Sequence, residues 1–186
     1  LGGGTAYAHA SLYPHAVDKL VMIEFAPPGF GYEYGMQPVR DWQSWQLAFF
    51  ITPDVAVQFI AGKERELLAW YFWHWSYNPD ALDQADFEVY VRQLQKPGAL
   101  RAGLSYFASV FDDMEQVKRF AATPLPMPVL ALGGERGAGA FLLQPMQRLA
   151  PQAVGGIIEH AGHWIADEQP HARTQRMISF LNGASL

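Results

Sequence analysis

At 186 residues, half of them hydrophobic and 17% charged, the chain can bury one ordinary core, with or without a small lid, and is far from disordered. Its net charge of −5 argues against nucleic acid, and the absence of cysteine excludes disulfides, thiolate chemistry and Cys-based zinc sites. No run of eighteen apolar residues is present to span a membrane. Six Trp, eight Tyr and twelve Phe are enough both to fill a core and to line an apolar pocket.

The chain opens Leu1-Gly2-Gly3-Gly4, with neither an initiator Met nor a signal-peptide pattern. This reads as a cut end. Localisation is therefore left open, with a soluble cytoplasmic protein as the default. Residues 5–13 read as a short Ala-rich helix stopped by Pro14, and Leu20–Ile23 as a brief, wholly apolar, buried parallel strand. After the loop Ala26-Pro27-Pro28-Gly29-Phe30-Gly31 the pattern turns helical as far as about Thr123. Trp42, Trp45, Phe49 and Phe50 recur at helical spacing. Helices are predicted over 53–61, 64–76, 83–95, 100–111 and 114–122, the second with Leu67, Leu68, Tyr71, Phe72 and Trp75 on one face.

Prolines at 124, 126 and 128 then break the chain. Strands are predicted over 129–132 and 154–159, helices over 141–149 and 169–181, and a loop over 160–166. Strand–helix alternation at the end argues an α/β protein with a parallel sheet. The expected organisation is core over 1–26, an all-helical cap over 27–123, and core again over 124–186.

In open parallel sheets, ligands bind beyond the carboxyl ends of the strands. The three strand ends carry Glu24, Glu135 and His163, the raw parts of a nucleophile–His–acid relay. A lone His in a loop is ordinarily a solvated residue. Here it lies in EHAGHWIADEQP (159–170), which closely resembles the catalytic-histidine segment of α/β-hydrolases in the epoxide hydrolase and dehalogenase branch. The resemblance covers essentially the whole chain. LGGGTAYAHASLYPHAVDKLVMIE (1–24) resembles the helix after that family's nucleophile elbow and the strand that follows it.

The resemblance implies an α/β-hydrolase fold with an inserted cap, early strands lying upstream, and a nucleophile immediately before Leu1. The backbone N–H of Leu1 would then be an oxyanion donor. Two residues compete as the relay acid. Most family members place it where Glu135 stands. Some bacterial epoxide hydrolases place it where Glu24 stands, and IEFAPPGFGYE (23–33) resembles theirs. Glu24 is preferred, because Arg136 could pair with Glu135 and keep it structural. The segments DWQSWQLAFF (41–50) and FIAGKERELL (59–68) resemble the cap of the same enzymes.

Members of that class open the epoxide with two cap donors, two Tyr or a His and a Tyr. Tyr106, in GLSYFASV, matches the Tyr, and Gln46 falls where a His is expected. An amide hydrogen-bonds an epoxide oxygen but does not protonate it. Trp45, Phe49 and Trp164 are expected to line the substrate pocket. The implied enzyme is an epoxide hydrolase that forms a covalent ester and hydrolyses it with water activated by His163, using neither cofactor nor metal. The implied partner is a small apolar substrate, an epoxide or a related molecule, with no nucleic acid and no membrane; a homodimer is a candidate assembly. On the same fold, a haloalkane or haloacid dehalogenase and an esterase stay open. A non-catalytic hydrolase-fold binding protein is the alternative of another class.

Overall fold

The computed structural model describes residues 2–37 and 44–183. Three parallel strands, β1 (Leu20–Ile23), β2 (Val129–Gly134) and β3 (Val154–Ile158), form one sheet in the order β1-β2-β3. Leu20 pairs with Val129, and Leu130 with Val154. Helix α1 (Gly2–Leu12) precedes β1. Between β1 and β2 lie α2 (Trp45–Phe50), α3 (Pro53–Ile60), α4 (Glu64–Trp75), α5 (Gln84–Leu94), α6 (Ala99–Ala108) and α7 (Val110–Phe120). Helix α8 (Leu143–Leu149) joins β2 to β3, and α9 (Ile165–Glu168) and α10 (Pro170–Leu181) follow.

Alternation along β2 builds the core, because successive side chains in a strand leave opposite faces. Val129 and Ala131 join Met22 under α1, α7 and α8, with Tyr7, Val117 and Met146. Leu130 and Leu132 face the other way, onto Ile158, Ile165 and Phe180. All six residues of β2 are buried, which is why that strand reads as a continuous apolar run. A third core, with Phe50, Ala56, Ile60, Leu100 and Leu104, holds the helical insert together.

Several elements differ from the sequence reading. Helix α1 begins at Gly2 and takes in the glycine run that the sequence left outside it. A Cβ on Gly3 would meet the Phe25 ring at 2.7 Å, so the missing side chain lets the helix lie directly on Phe25, two residues past β1. Strand β2 continues to Gly134, two residues past the predicted 132, because its last two residues still pair with Ile157 and Ile158. The predicted loop 160–166 ends in the single turn of α9. A 3-10 helix, Tyr32–Met36, interrupts what read as loop and helix.

The expected single apolar face of α4 is divided. Leu67 and Tyr71 pack on the cap core, whereas Phe72 packs on Phe87, Tyr90 and Trp164. An α4 ringed by aromatic side chains serves two neighbours at once. Trp42 lies outside the described residues.

Candidate active site

The carboxyl ends of the strands converge on His163. Its Nδ1–H donates to Glu24 Oε2 at 2.9 Å, and a carboxylate, which only accepts, assigns that proton to Nδ1. Nε2 is left with its lone pair, which is the tautomer a general base needs. The Glu24 side chain is only 6% exposed and that of His163 is 35%, so the acid is sealed in while the imidazole remains reachable by water.

Glu24 is built into place by backbone. It follows β1 directly and adopts φ 56°, a left-handed conformation uncommon outside glycine that costs on the order of 1–3 kcal/mol. In return Oε1 accepts from Gly134 N at 2.6 Å and Ala138 N at 2.9 Å, and Oε2 accepts from Ala138 N at 3.0 Å. A buried carboxylate without such partners would be strongly disfavoured.

Gly137 matters for the same reason: a Cβ there would fall 2.3 Å from Glu24 Oε2. Gly137→Ala is therefore expected to push the carboxylate off its donors and off His163. Turnover should fall about 10–100-fold, the worth of one hydrogen bond to a charged group. Steady-state kinetics alongside circular dichroism checks this; an unchanged kcat would mean that Glu24 is not held by this loop.

Glu135 stands elsewhere. Its Oε2 accepts from His160 N at 2.9 Å, in exposed surroundings, and so secures the loop that leads to His163. The expected Glu135–Arg136 pairing is not what the structure contains: Arg136 lies 4.9 Å over the Tyr77 ring. The two competing acids are thus separated by geometry, and Glu24 is the one on the imidazole.

The insert reaches this pair through the end of α4. Trp75 O accepts from His163 N at 2.8 Å, and the Trp75 ring packs edge-on against the imidazole at 5.1 Å. Glu168 clamps both sides, accepting from Gly162 N at 2.9 Å through Oε1 and from Tyr77 N at 2.6 Å and Asn78 N at 2.9 Å through Oε2. Its neighbour Asp167 is held above its ordinary pKa by burial, and then by Asp86 and Glu168.

A cleft of about 340 Å³ is lined by Glu24, Phe25, His163 and Trp164 together with Gly2 and Gly3 of α1. Trp164 is one of the lining residues. Trp45 and Phe49 pack with tilted rings, 5.9 Å between centroids, within the insert and are not part of the wall of this cleft. Gln46 is 3% exposed, and among the described residues its buried Oε1 has no hydrogen-bond partner.

Tyr106 is a correction. It is 63% exposed and absent from the cleft wall, so it is not brought to His163. Helix periodicity is the reason: α6 turns Leu100, Leu104 and Phe107 toward the cap core, and Tyr106 is one residue out of phase with that face. The residue on the inward face is Phe107, 5.2 Å from the Phe50 ring. Leu1 lies outside the described residues.

No family model matches the chain. Over 107 residues it is 31% identical to the soluble epoxide hydrolase of Corynebacterium sp. (strain C12), covering 57% of the chain and 37% of that enzyme. It is 26% identical to human epoxide hydrolase 4 over 190 residues, which is 97% of the chain and 51% of the relative. The crystal structure of wild-type Cfl2 from Burkholderia cenocepacia superposes with a TM-score of 0.90 at 32% identity, over 96% of the chain and 62% of that protein. The chain has the α/β-hydrolase fold, and the curated relatives it matches are epoxide hydrolases. It spans about half the length of the human relative and a smaller share of the bacterial one.

As an α/β-hydrolase, the chain carries its His–acid pair with the acid after β1 rather than after β2. Sequence reasoning missed Trp75, Glu168 and Phe107. Glu168 had a signal, an acidic residue opening a helix beside a candidate catalytic loop; Trp75 was one aromatic among many.

Proposed function

We propose that the full-length protein is an epoxide hydrolase working through a covalent ester. A carboxylate immediately before Leu1 attacks an epoxide carbon, and water activated by His163 Nε2 then hydrolyses the ester, with Glu24 orienting the imidazole. The observation that carries this reading is the cleft itself. The Glu24–His163 pair and the first turn of α1 line the same cleft, so a side chain just ahead of α1 would come close to both the imidazole and the helix N-terminus. The names of the relatives agree with an epoxide as substrate. The aromatic insert suits an apolar one. Gln46 would hydrogen-bond the epoxide oxygen.

The test is a single turnover of an aryl epoxide in ¹⁸O-water. The ester route puts enzyme oxygen into the diol and ¹⁸O into the enzyme carboxylate, seen by mass spectrometry. Direct attack by water puts ¹⁸O into the diol and sinks the proposal. One observation favours a second reading: with Phe107 on the inward face, a leaving group that needs no proton, a halide or a phenolate ester, would also suit the insert. Turnover of a haloalkane or an aryl ester, with none of the epoxide, would put that reading first.

A further inference from the structure

Strand β3 ends the sheet, and among the described residues nothing pairs with its outer edge. Ile158 O accepts from Glu135 N on the β2 side, and alternate residues of a strand turn their backbone groups the same way. Val154, Gly156 and Ile158 therefore bond toward β2, while the N–H and C=O groups of Gly155 and Ile157 point outward. Sheets ordinarily protect such an edge with a lysine, a proline or a bulge. Residues 154–158 read Val-Gly-Gly-Ile-Ile and pair one-to-one with β2, so all three devices are missing. Val154 and Ile157 are exposed as well.

We propose that this edge is a dimer interface, on which a second copy of the chain lays its own β3 antiparallel about a two-fold axis at Gly156. The strand suits itself as a partner. A two-fold axis makes opposed residues share a face of the sheet, and an axis at Gly156 sets Gly155 against Ile157 and Val154 against Ile158. The two residues with outward backbone groups then face each other, so every such group finds a partner. Gly156 meets Gly156, and even a Cβ there would have open space around it, so no side chain holds the two backbones apart.

Charge fits the same occupant. The chain carries −5 overall, yet the groove of about 570 Å³ between the end of β3 and α10 has Glu159 as its one carboxylate and Arg176 as its one guanidinium. Two copies meet there without the repulsion that their net charge brings elsewhere. The residues ahead of α1 approach the other side of the sheet, since Gly2 and Gly3 share the cleft of Glu24, just past β1. The pairing is independent of the reaction at His163.

The test uses the full-length protein. Sedimentation velocity at micromolar concentration should show a dimer. Ile157→Pro removes an outward N–H, at an edge position where proline is tolerated, and should give a monomer with unchanged circular dichroism and turnover. Gly156→Cys tests the register itself. Gly156 takes the non-hydrogen-bonded position at the axis, where opposed Cα atoms stand about 4.5 Å apart, within the roughly 4.4–6.8 Å that a disulfide spans. Mild oxidation should join two chains and double the mass without reductant, whereas the wild type and Thr174→Cys, exposed on α10, should not link. Where Ile157→Pro fails to fold, the cross-link decides. A monomeric wild type overturns the proposal, whatever other strand then takes the edge. So does a dimer that survives Ile157→Pro and in which Gly156→Cys links no better than the wild type, because the copies then meet elsewhere.

Discussion

In the full-length protein, His163→Gln is expected to form the substrate ester and then stall. Attack by the nucleophile draws on no lone pair of His163, whereas the second step needs Nε2 to take a proton from water. Among the described residues that line the cleft, His163 is the one imidazole, so no other takes over. Loss of a general base typically costs about 10²–10⁴-fold in rate. The hydrolytic step should fall by at least the lower figure, and the ester should accumulate to near stoichiometry. Intact-protein mass spectrometry after mixing with an epoxide reads this directly as the mass of one substrate added. Normal steady turnover by the variant, or no adduct at all, would remove His163 from the base role.

Glu24→Gln should be comparably damaging through a different cause. Gly134 N and Ala138 N both donate to the Oε1 side of the carboxylate, so a glutamine there would turn its oxygen to them. Its NH₂ would then face His163 Nδ1. Two donors cannot share that contact, and the imidazole would be driven to the tautomer with its proton on Nε2, the wrong one for a base. In a serine protease triad the corresponding Asp-to-Asn change lowers kcat about 10⁴-fold. A loss of the same direction and of at least about 100-fold is expected here. Glu135→Gln, by contrast, keeps an oxygen for His160 N and should leave kcat close to wild type. Equal losses from the two variants would mean that the imidazole takes its partner from both strand ends.

The corrections concern phase rather than chemistry. Tyr106 and Phe107 are adjacent, both aromatic, and a sequence does not say which of them a helix turns inward. That depends on where α6 meets α2 and α3, through Phe50, Ala56 and Ile60. Gln46 was legible as a departure from the expected His, but its buried, unpartnered oxygen was not, since burial is set by the helices around it. Trp75 was hidden for a related reason: it acts across a long sequence separation, on a loop that only folding brings near.

What the sequence by itself determined is the local chemistry: the first two strands from continuous apolar runs, the helices of the insert from their spacing, and a carboxylate or a histidine at each strand end. Those features depend on neighbours along the chain, where period and punctuation are visible. Only the tertiary structure distinguishes Glu24, whose carboxylate contacts the imidazole, from Glu135, which holds His160 N. Both follow apolar strands, and the difference lies in the left-handed turn at Glu24 and in the Gly134 and Ala138 amides that receive its carboxylate. Those donors come from residues more than a hundred positions away, and a hydrogen bond is satisfied by proximity in space, which spacing along the chain does not record.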